Sequence, residues 1–171
     1  MFIETIYFFL PAGFANMAPV FIQKLPLLNI PLDGKGTLKG RRIFGDHKTV
    51  RGLLAGIILG TAVAYLQSFH FLSSYELVDY SNWLALGLLQ SVGAMLGDAV
   101  KSFFKRQKDI PPGQSWFPYD QLDFIIGAIL LTELVFPISL TSIMIAILLA
   151  PLFHMSINRI GHLLRIRDTP W

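Results

Sequence analysis

The 171 residues contain no cysteine. A disulfide framework, a thiolate nucleophile and a zinc–thiolate site are therefore excluded. Charge is sparse as well. Asp, Glu, Lys and Arg make up 15% of the chain against 53% hydrophobic residues, and the mean hydropathy is +0.55. That is little charge for a soluble globular chain. No internal repeat, heptad or low-complexity tract is present. The first apolar stretch lacks a basic start, carries its first charge at Glu4 and runs the length of a span, so it does not read as a cleavable signal peptide.

Lysine and arginine are missing from whole segments: residues 73–81 and 136–141 hold none. All 14 fall into three islands, seven between Lys24 and Arg51, four between Lys101 and Lys108, and three between Arg159 and Arg167. Apolar stretches at 2–22, 53–72, 82–104, 120–137 and 142–157 separate them. Each is close to the roughly 20 residues that cross a bilayer. The islands then share one face, which the positive-inside rule makes cytoplasmic. The expectation is an all-α polytopic membrane protein with five transmembrane helices, the N-terminus outside and the C-terminus cytoplasmic. It forms a single membrane-embedded domain, 1–171, with cytoplasmic loops 23–52 and 101–119. The net charge of +3 faces anionic headgroups or anionic substrates. Basic residues at membrane junctions, rather than along a groove, argue against nucleic acid as a partner.

Pro11, Gly13, Asn16 and Pro19 interrupt the first span. A proline in a helix leaves backbone groups that something else must satisfy. Gln90, within a span, reads as an interhelical hydrogen bonder, and Asn16 either as that or as a polar contact near the lipid headgroup. His70, His154 and His162 read as structural or interfacial, with no carboxylate partner at motif spacing. The first island is long and glycine-rich, with Asp33-Gly34-Lys35-Gly36 followed by Gly45-Asp46-His47-Lys48-Thr49-Val50-Arg51-Gly52. Loops of this length are usually functional or disordered. Its chemistry is too varied for a spacer. Lys48 and Arg51 are placed to meet phosphates, with glycines admitting backbone amides, although the spacing of a P-loop is absent.

Polar chemistry concentrates between Gly97 and Asp123. Asp98, Lys101, Ser102 and Lys105 recur at i, i+3, i+4 and i+7 on one helical face. Asp120 and Asp123, after the aromatic loop Trp116-Phe117-Pro118-Tyr119, again share a face. Carboxylates beside lysines at the ends of two adjacent spans can gather a divalent cation and a polyphosphate, because magnesium takes oxygen ligands and is commonly completed by substrate phosphates. Structural readings stand beside this one. Asp120 can cap its helix, and Asp98 can pair with Lys101 or Lys105 to offset its cost near lipid.

The same stretch resembles the signature of CTP-dependent phosphatidate cytidylyltransferases, in Ser102-Phe103-Phe104-Lys105-Arg106, Lys108-Asp109, Pro112-Gly113 and Asp120-Gln121-Leu122-Asp123. It departs from that pattern in the short gap between Arg106 and Lys108, in the missing His-Gly-Gly and in Gln121 where an arginine is usual. These departures, the five-span length, Asn16-Met17-Ala18-Pro19 and Phe44-Gly45-Asp46-His47-Lys48-Thr49-Val50-Arg51-Gly52 resemble the archaeal branch, the CDP-archaeol synthases.

The resemblance implies cytidylyl transfer from CTP to an isoprenoid glycerol phosphate lipid (2,3-di-O-geranylgeranylglyceryl phosphate), with release of pyrophosphate and a need for Mg2+. It implies Asp98, Asp120 and Asp123 as metal ligands and, with Lys101 and Lys105, as the catalytic set. Asp46, His47, Lys48, Thr49, Arg51, Ser102 and Arg106 would meet CTP, and Asn16, Lys24 and Arg42 the lipid phosphate. Phe44, Trp116 or Tyr119 can stack on the base. The alternatives are a CTP-dependent polyprenol or phytol kinase, which needs a base to deprotonate an alcohol, and a small cation transporter, for which Glu133, towards the outer side of its span, is the main ionisable candidate.

Overall fold

The computed structural model describes residues 1–23, 25–70 and 73–163; Lys24 and the side chain of His162 lie outside them. Among the described residues the chain is mostly helical: α1 (Phe2–Phe8), α2 (Leu10–Phe21), α3 (Val50–Gln67), α4 (Trp83–Gln107), α5 (Tyr119–Thr132) and α6 (Leu140–Leu163). One small antiparallel hairpin, β1 (Thr37–Leu38) and β2 (Arg41–Arg42), lies in the connection between α2 and α3.

The first apolar stretch is two helices instead of one. Pro11 has no N–H to give Tyr7, so the ladder opens at Phe9. Two buried glutamines close the gap. Gln67 of α3 donates to the Tyr7 carbonyl at 2.5 Å, the acceptor to which Pro11 has no N–H to give. Gln90 of α4 donates to the Phe8 carbonyl at 2.8 Å and accepts from the Ala12 amide at 3.3 Å. Those two groups would bond each other in an unbroken helix. The hydrogen-bonding role expected of Gln90 is thus met, and Gln67 shares it.

Helix α3 begins at Val50, three residues before the expected apolar run, because Thr49 Oγ1 accepts the Gly52 amide at 3.1 Å and caps it. It buries Gly52, Gly56, Gly60 and Ala64 and turns Ile58 outward, 68% exposed. A Cβ on Gly60 would stand 2.6 Å from the Pro11 carbonyl, so α2 and α3 meet backbone to backbone. Small residues inside and large apolar ones outside (Leu130 at 64%, Leu148 at 69%) is the arrangement of helices that pack against one another in lipid. Val50–Gln67 and Tyr80–Gln107 are each long and apolar enough to cross a bilayer; Leu140–Ser156 is a shorter apolar helix.

Helices α4 and α5 pack most tightly. A Cβ on Gly97 would overlap the Asp123 carbonyl, one on Gly93 the Gly127 carbonyl, and one on Gly127 the Gly93 carbonyl. Gly93 and Gly97 form a Gly-x3-Gly step that lets the two helices touch without side chains between them. Helix α5 stops at Thr132, short of the expected 137. Glu133 then accepts the Ile138 amide at 2.9 Å and closes the turn into α6. That turn, rather than a midplane ion site, is what Glu133 serves. At the same end of the molecule His70, in the left-handed region at φ 55°, brings its Nδ1 to 2.8 Å from Glu76. It therefore has a carboxylate partner, contrary to the expectation from motif spacing.

Candidate functional site

Because Gly97 seats the α4 backbone on the Asp123 carbonyl, its neighbour Asp98 is brought beside the first two turns of α5. Lys101, one turn further along α4, lies at the centre. Its Nζ is 3.2 Å from Asp98 Oδ1, 3.0 Å from Asp120 Oδ1 and 2.8 Å from Asp123 Oδ2. Lys105, the next turn, reaches both carboxylate oxygens of Asp120, at 3.1 and 3.0 Å, and donates to the Gln114 carbonyl at 2.5 Å. Lys48 of the first island pairs with the other oxygen of Asp98. Six charged side chains, three of each sign, thus come together from three parts of the chain. The expected catalytic set of Asp98, Lys101, Lys105, Asp120 and Asp123 is brought to one place.

The structural alternatives resolve individually. Asp98 is indeed paired with Lys101, and with Lys48 where Lys105 was the other expectation. Asp120 does not cap α5: its Oδ2 accepts the Trp116 amide at 2.6 Å in the preceding loop, while its own amide donates to the Trp116 carbonyl at 3.0 Å. The loop before α5 is therefore folded around Asp120. Trp116 stacks against Tyr119 with ring centroids 4.3 Å apart, and Lys108 Nζ lies 4.8 Å from the Trp116 ring.

The first island closes over the end of α4 by contacts that its glycines and one aspartate arrange. The Asp33 side chain has no exposed surface. It accepts from the amides of Lys35, Phe44 and Gly45 at 3.1, 2.9 and 3.0 Å and from Arg42 at 2.9 and 3.3 Å. Burial pushes its carboxyl up, but the Arg42 guanidinium and these amides outweigh that and hold it well below the usual carboxylate range. Arg41 donates to the Gln107 carbonyl at the C-terminus of α4 at 2.5 Å and pairs with Asp109, while Gln107 donates to the Arg42 carbonyl at 3.3 Å. Gly45, at φ 91°, turns the chain where a Cβ would lie 3.6 Å from Arg106 Cδ. Lys48 follows this turn and reaches Asp98.

Several expected contacts fall elsewhere. Arg42 pairs with Asp33 and Asp46 and so braces the loop. Thr49 caps α3, and Arg51 holds the Gln23 carbonyl at 3.0 Å and Asn29 Oδ1 at 3.2 Å; both fasten the loop's ends. Ser102 is buried in α4, whereas Asp46 and His47 are exposed on the loop. Asn16 lines an apolar cavity next to the site. Asp33 was not foreseen. Its partners lie two to twelve residues on, at no motif spacing, and the Asp-Gly turn was the only signal.

The donors at the centre are all carboxylate oxygens, the set a hard cation takes. Among the described residues no three His, Asp or Glu side chains stand close enough to hold an ion by themselves. What the three aspartates share is the Lys101 ammonium.

Comparison with known proteins identifies the family. The family described as CarS-like, CDP-archaeol synthase, matches residues 1–171. A CDP-archaeol synthase of Methanospirillum hungatei is 39% identical over 149 residues, 83% of this chain and 90% of its own. One of Thermococcus onnurineus is 37% identical over 168 residues, covering 98% and 95%. A solved structure described as an intramembrane enzyme for archaeal membrane lipids biosynthesis superposes with a TM-score of 0.75 at 31% identity, covering 92% of this chain and 94% of that one. The chain belongs to the CarS-like CDP-archaeol synthase family.

Proposed function

We propose that the protein transfers a cytidylyl group from CTP to an archaeal lipid phosphate, unsaturated archaetidic acid, giving CDP-archaeol and pyrophosphate. It does so at the cytoplasmic face of a five-span membrane domain. The observation that carries this reading is the cluster of Asp98, Asp120, Asp123, Lys48, Lys101 and Lys105 in a family of CDP-archaeol synthases.

Three carboxylates there offset three ammoniums, so the cluster is formally neutral. An entering triphosphate adds negative charge that the cluster has no surplus to meet. Its phosphates draw the lysines towards themselves, and the aspartates so released need a cation. Magnesium suits that need, since it is held by one or two carboxylates plus substrate phosphates and requires no all-protein chelate. Asp98, Asp120 and Asp123 are the residues that would hold it. When bound, it neutralises the charge of the two phosphate substrates.

The nucleophile is the phosphate oxygen of the lipid. A phosphate monoester has a second pKa of about 6, so it is largely dianionic at neutral pH and needs no general base. This oxygen attacks the α-phosphorus of CTP, a new P–O bond forms, the bond to the oxygen bridging to the β-phosphate breaks, and pyrophosphate leaves. The barrier is repulsion between two anions and charge growing on the leaving group, which positioned cations reduce. Lys101 and Lys105 lie nearest the centre for that task, with Arg106 beside them. Lys48 brings the first island in behind CTP, with Gly45 as its turn.

The test is transfer of label from α-labelled CTP to digeranylgeranylglyceryl phosphate by purified protein in detergent, with and without magnesium. Magnesium-dependent label in the lipid, lost in folded Asp98→Asn, is the expected result. Absence of transfer from well-folded wild-type protein overturns the reading, and label appearing only from γ-labelled CTP points to a kinase instead.

A further inference from the structure

A cavity of about 330 Å³ lies between α1 and α2 on one side and α5 and α6 on the other. Its walls are hydrocarbon, including Phe9, Ile125 and Leu149. Of its four polar lining residues, Thr5 sits at the far end with its hydroxyl bonded to the Met1 carbonyl at 2.7 Å. The other three, Asn16, His154 and Ser156, gather at the opposite end. That end is the site end. Phe124, also in the wall, directly follows Asp123. Pro19, one turn past Asn16, abuts Gly52 in the first turn of α3, close behind Lys48. The cavity follows residues 5 to 17, about 18 Å of helix at 1.5 Å per residue. Its rim residues Phe14 and Phe153 are both exposed on the apolar exterior.

One residue keeps this space open. Gly13 lines it, and a Cβ built there would meet nothing within 4 Å. Glycine inside a helix is unfavourable relative to alanine by up to about 1 kcal/mol. Neither the backbone angle nor any neighbour requires glycine here, unlike at Gly97 or Gly60. A slot that is apolar along its length, runs up to the aspartates' end of α5 and opens sideways matches an amphiphile with its phosphate at the aspartates. Its volume is at the lower limit of ligand pockets, about 300–1,000 Å³, which suits one chain and not two.

We propose that this cavity receives one hydrocarbon chain of the lipid phosphate substrate, with Gly13 setting its bore, while the second chain stays in the bilayer. The inference rests on the lipid-phosphate reading above. It makes the protein selective for chain length through a residue remote from the phosphates.

Gly13→Leu fills the slot without a clash. Its expected effect is a rise of tenfold or more in KM for the digeranylgeranyl phosphate. KM for CTP, and the activity on a water-soluble analogue with six-carbon chains, should stay within twofold. Gly13→Ala should lie between, and Ile58→Phe, a bulky change on the outer surface, should do nothing. An equal effect of Gly13→Leu on the long and short lipids, or no effect on either, overturns the cavity while leaving the reaction in place. A readout independent of turnover is photolabelling by a prenyl glycerol phosphate with a diazirine at one chain end. Label in residues 5–17 and 146–156 of wild type, lost in Gly13→Leu, supports the cavity. Label spread over outer faces and unchanged by the variant overturns it. If no cytidylyl transfer is found in wild type, the photolabelling alone decides about the cavity.

Discussion

The break in the first span and the cluster on α4 and α5 are both polar places in a largely apolar molecule, and they are satisfied in opposite ways. At the break, Gln67 and Gln90 are neutral, buried and matched to main-chain partners: the Tyr7 carbonyl, the Phe8 carbonyl and the Ala12 amide. Nothing there can exchange without exposing a backbone group. In the cluster, Lys101 is shared by three carboxylates and Asp120 by two lysines and an amide. Shared charges can be redistributed when phosphates arrive. At the break neutral amides meet fixed main-chain groups, whereas in the cluster mobile charges are held in common.

Substitutions at the two places should separate stability from activity. The largest effect is expected of Lys101→Met, which leaves Asp98, Asp120 and Asp123 without their common partner. Cytidylyl transfer should fall about a thousandfold or more, equivalent to about 4 kcal/mol in the transition state, while detergent-solubilised protein still elutes as a folded species. Next, Gln90→Leu strips partners from a buried amide and a buried carbonyl. A loss of roughly 2–4 kcal/mol follows from the penalty for such groups, read as a lower thermal midpoint, with kcat at permissive temperature within about twofold of wild type. A Gln90→Leu protein that is as stable as wild type but inactive would contradict the comparison.

A smaller effect is expected of Asp33→Asn. Asp33 organises the loop that carries Lys48 but touches nothing in the cluster. KM for CTP should rise about tenfold, KM for the lipid should not move, and Lys48→Met should add little on top. The pH dependence follows from the lowered carboxyl of Asp33. Its contribution is complete above the unfolded value of about 4 and is lost as pH falls through the lower folded value. Loop closure, followed by protease sensitivity of residues 33–48, should therefore be constant from pH 5 to 8 and fail only in stronger acid.

Much of this was legible in the sequence. The apolar stretches gave a mostly helical chain, and the first two basic islands meet at the end of α4. The periodicity of Asp98, Lys101 and Lys105 gave one face of the site, and Asp120 with Asp123 gave the other. Pro11 announced a break, and Gln90 its repair; Gln67 was passed over because it lies at the end of an apolar run, where an amide looks unremarkable. Gly93 and Gly97 carried a readable packing step whose consequence, the seating of Asp98 beside Asp123, depends on which helix supplies the facing carbonyl. Thr49, Arg51 and Arg42 looked like phosphate ligands. Basic and hydroxyl residues in a glycine-rich loop have the same composition whether they hold a ligand or the loop itself. His70 and Glu76 meet only because the chain turns through a left-handed residue between α3 and the next turn.

The contact of Gly97 with the Asp123 backbone also bears on how the protein lives in its membrane. Bilayers differ in thickness, and helices answer by tilting. Helices that meet through long side chains can slide as they tilt, because rotamers absorb the motion. Here Gly93, Gly97 and Gly127 lock carbonyl against Cα, with nothing flexible between. The two helices must tilt as one body, so the separation of Asp98 from Asp123 is insulated from changes in lipid length or temperature.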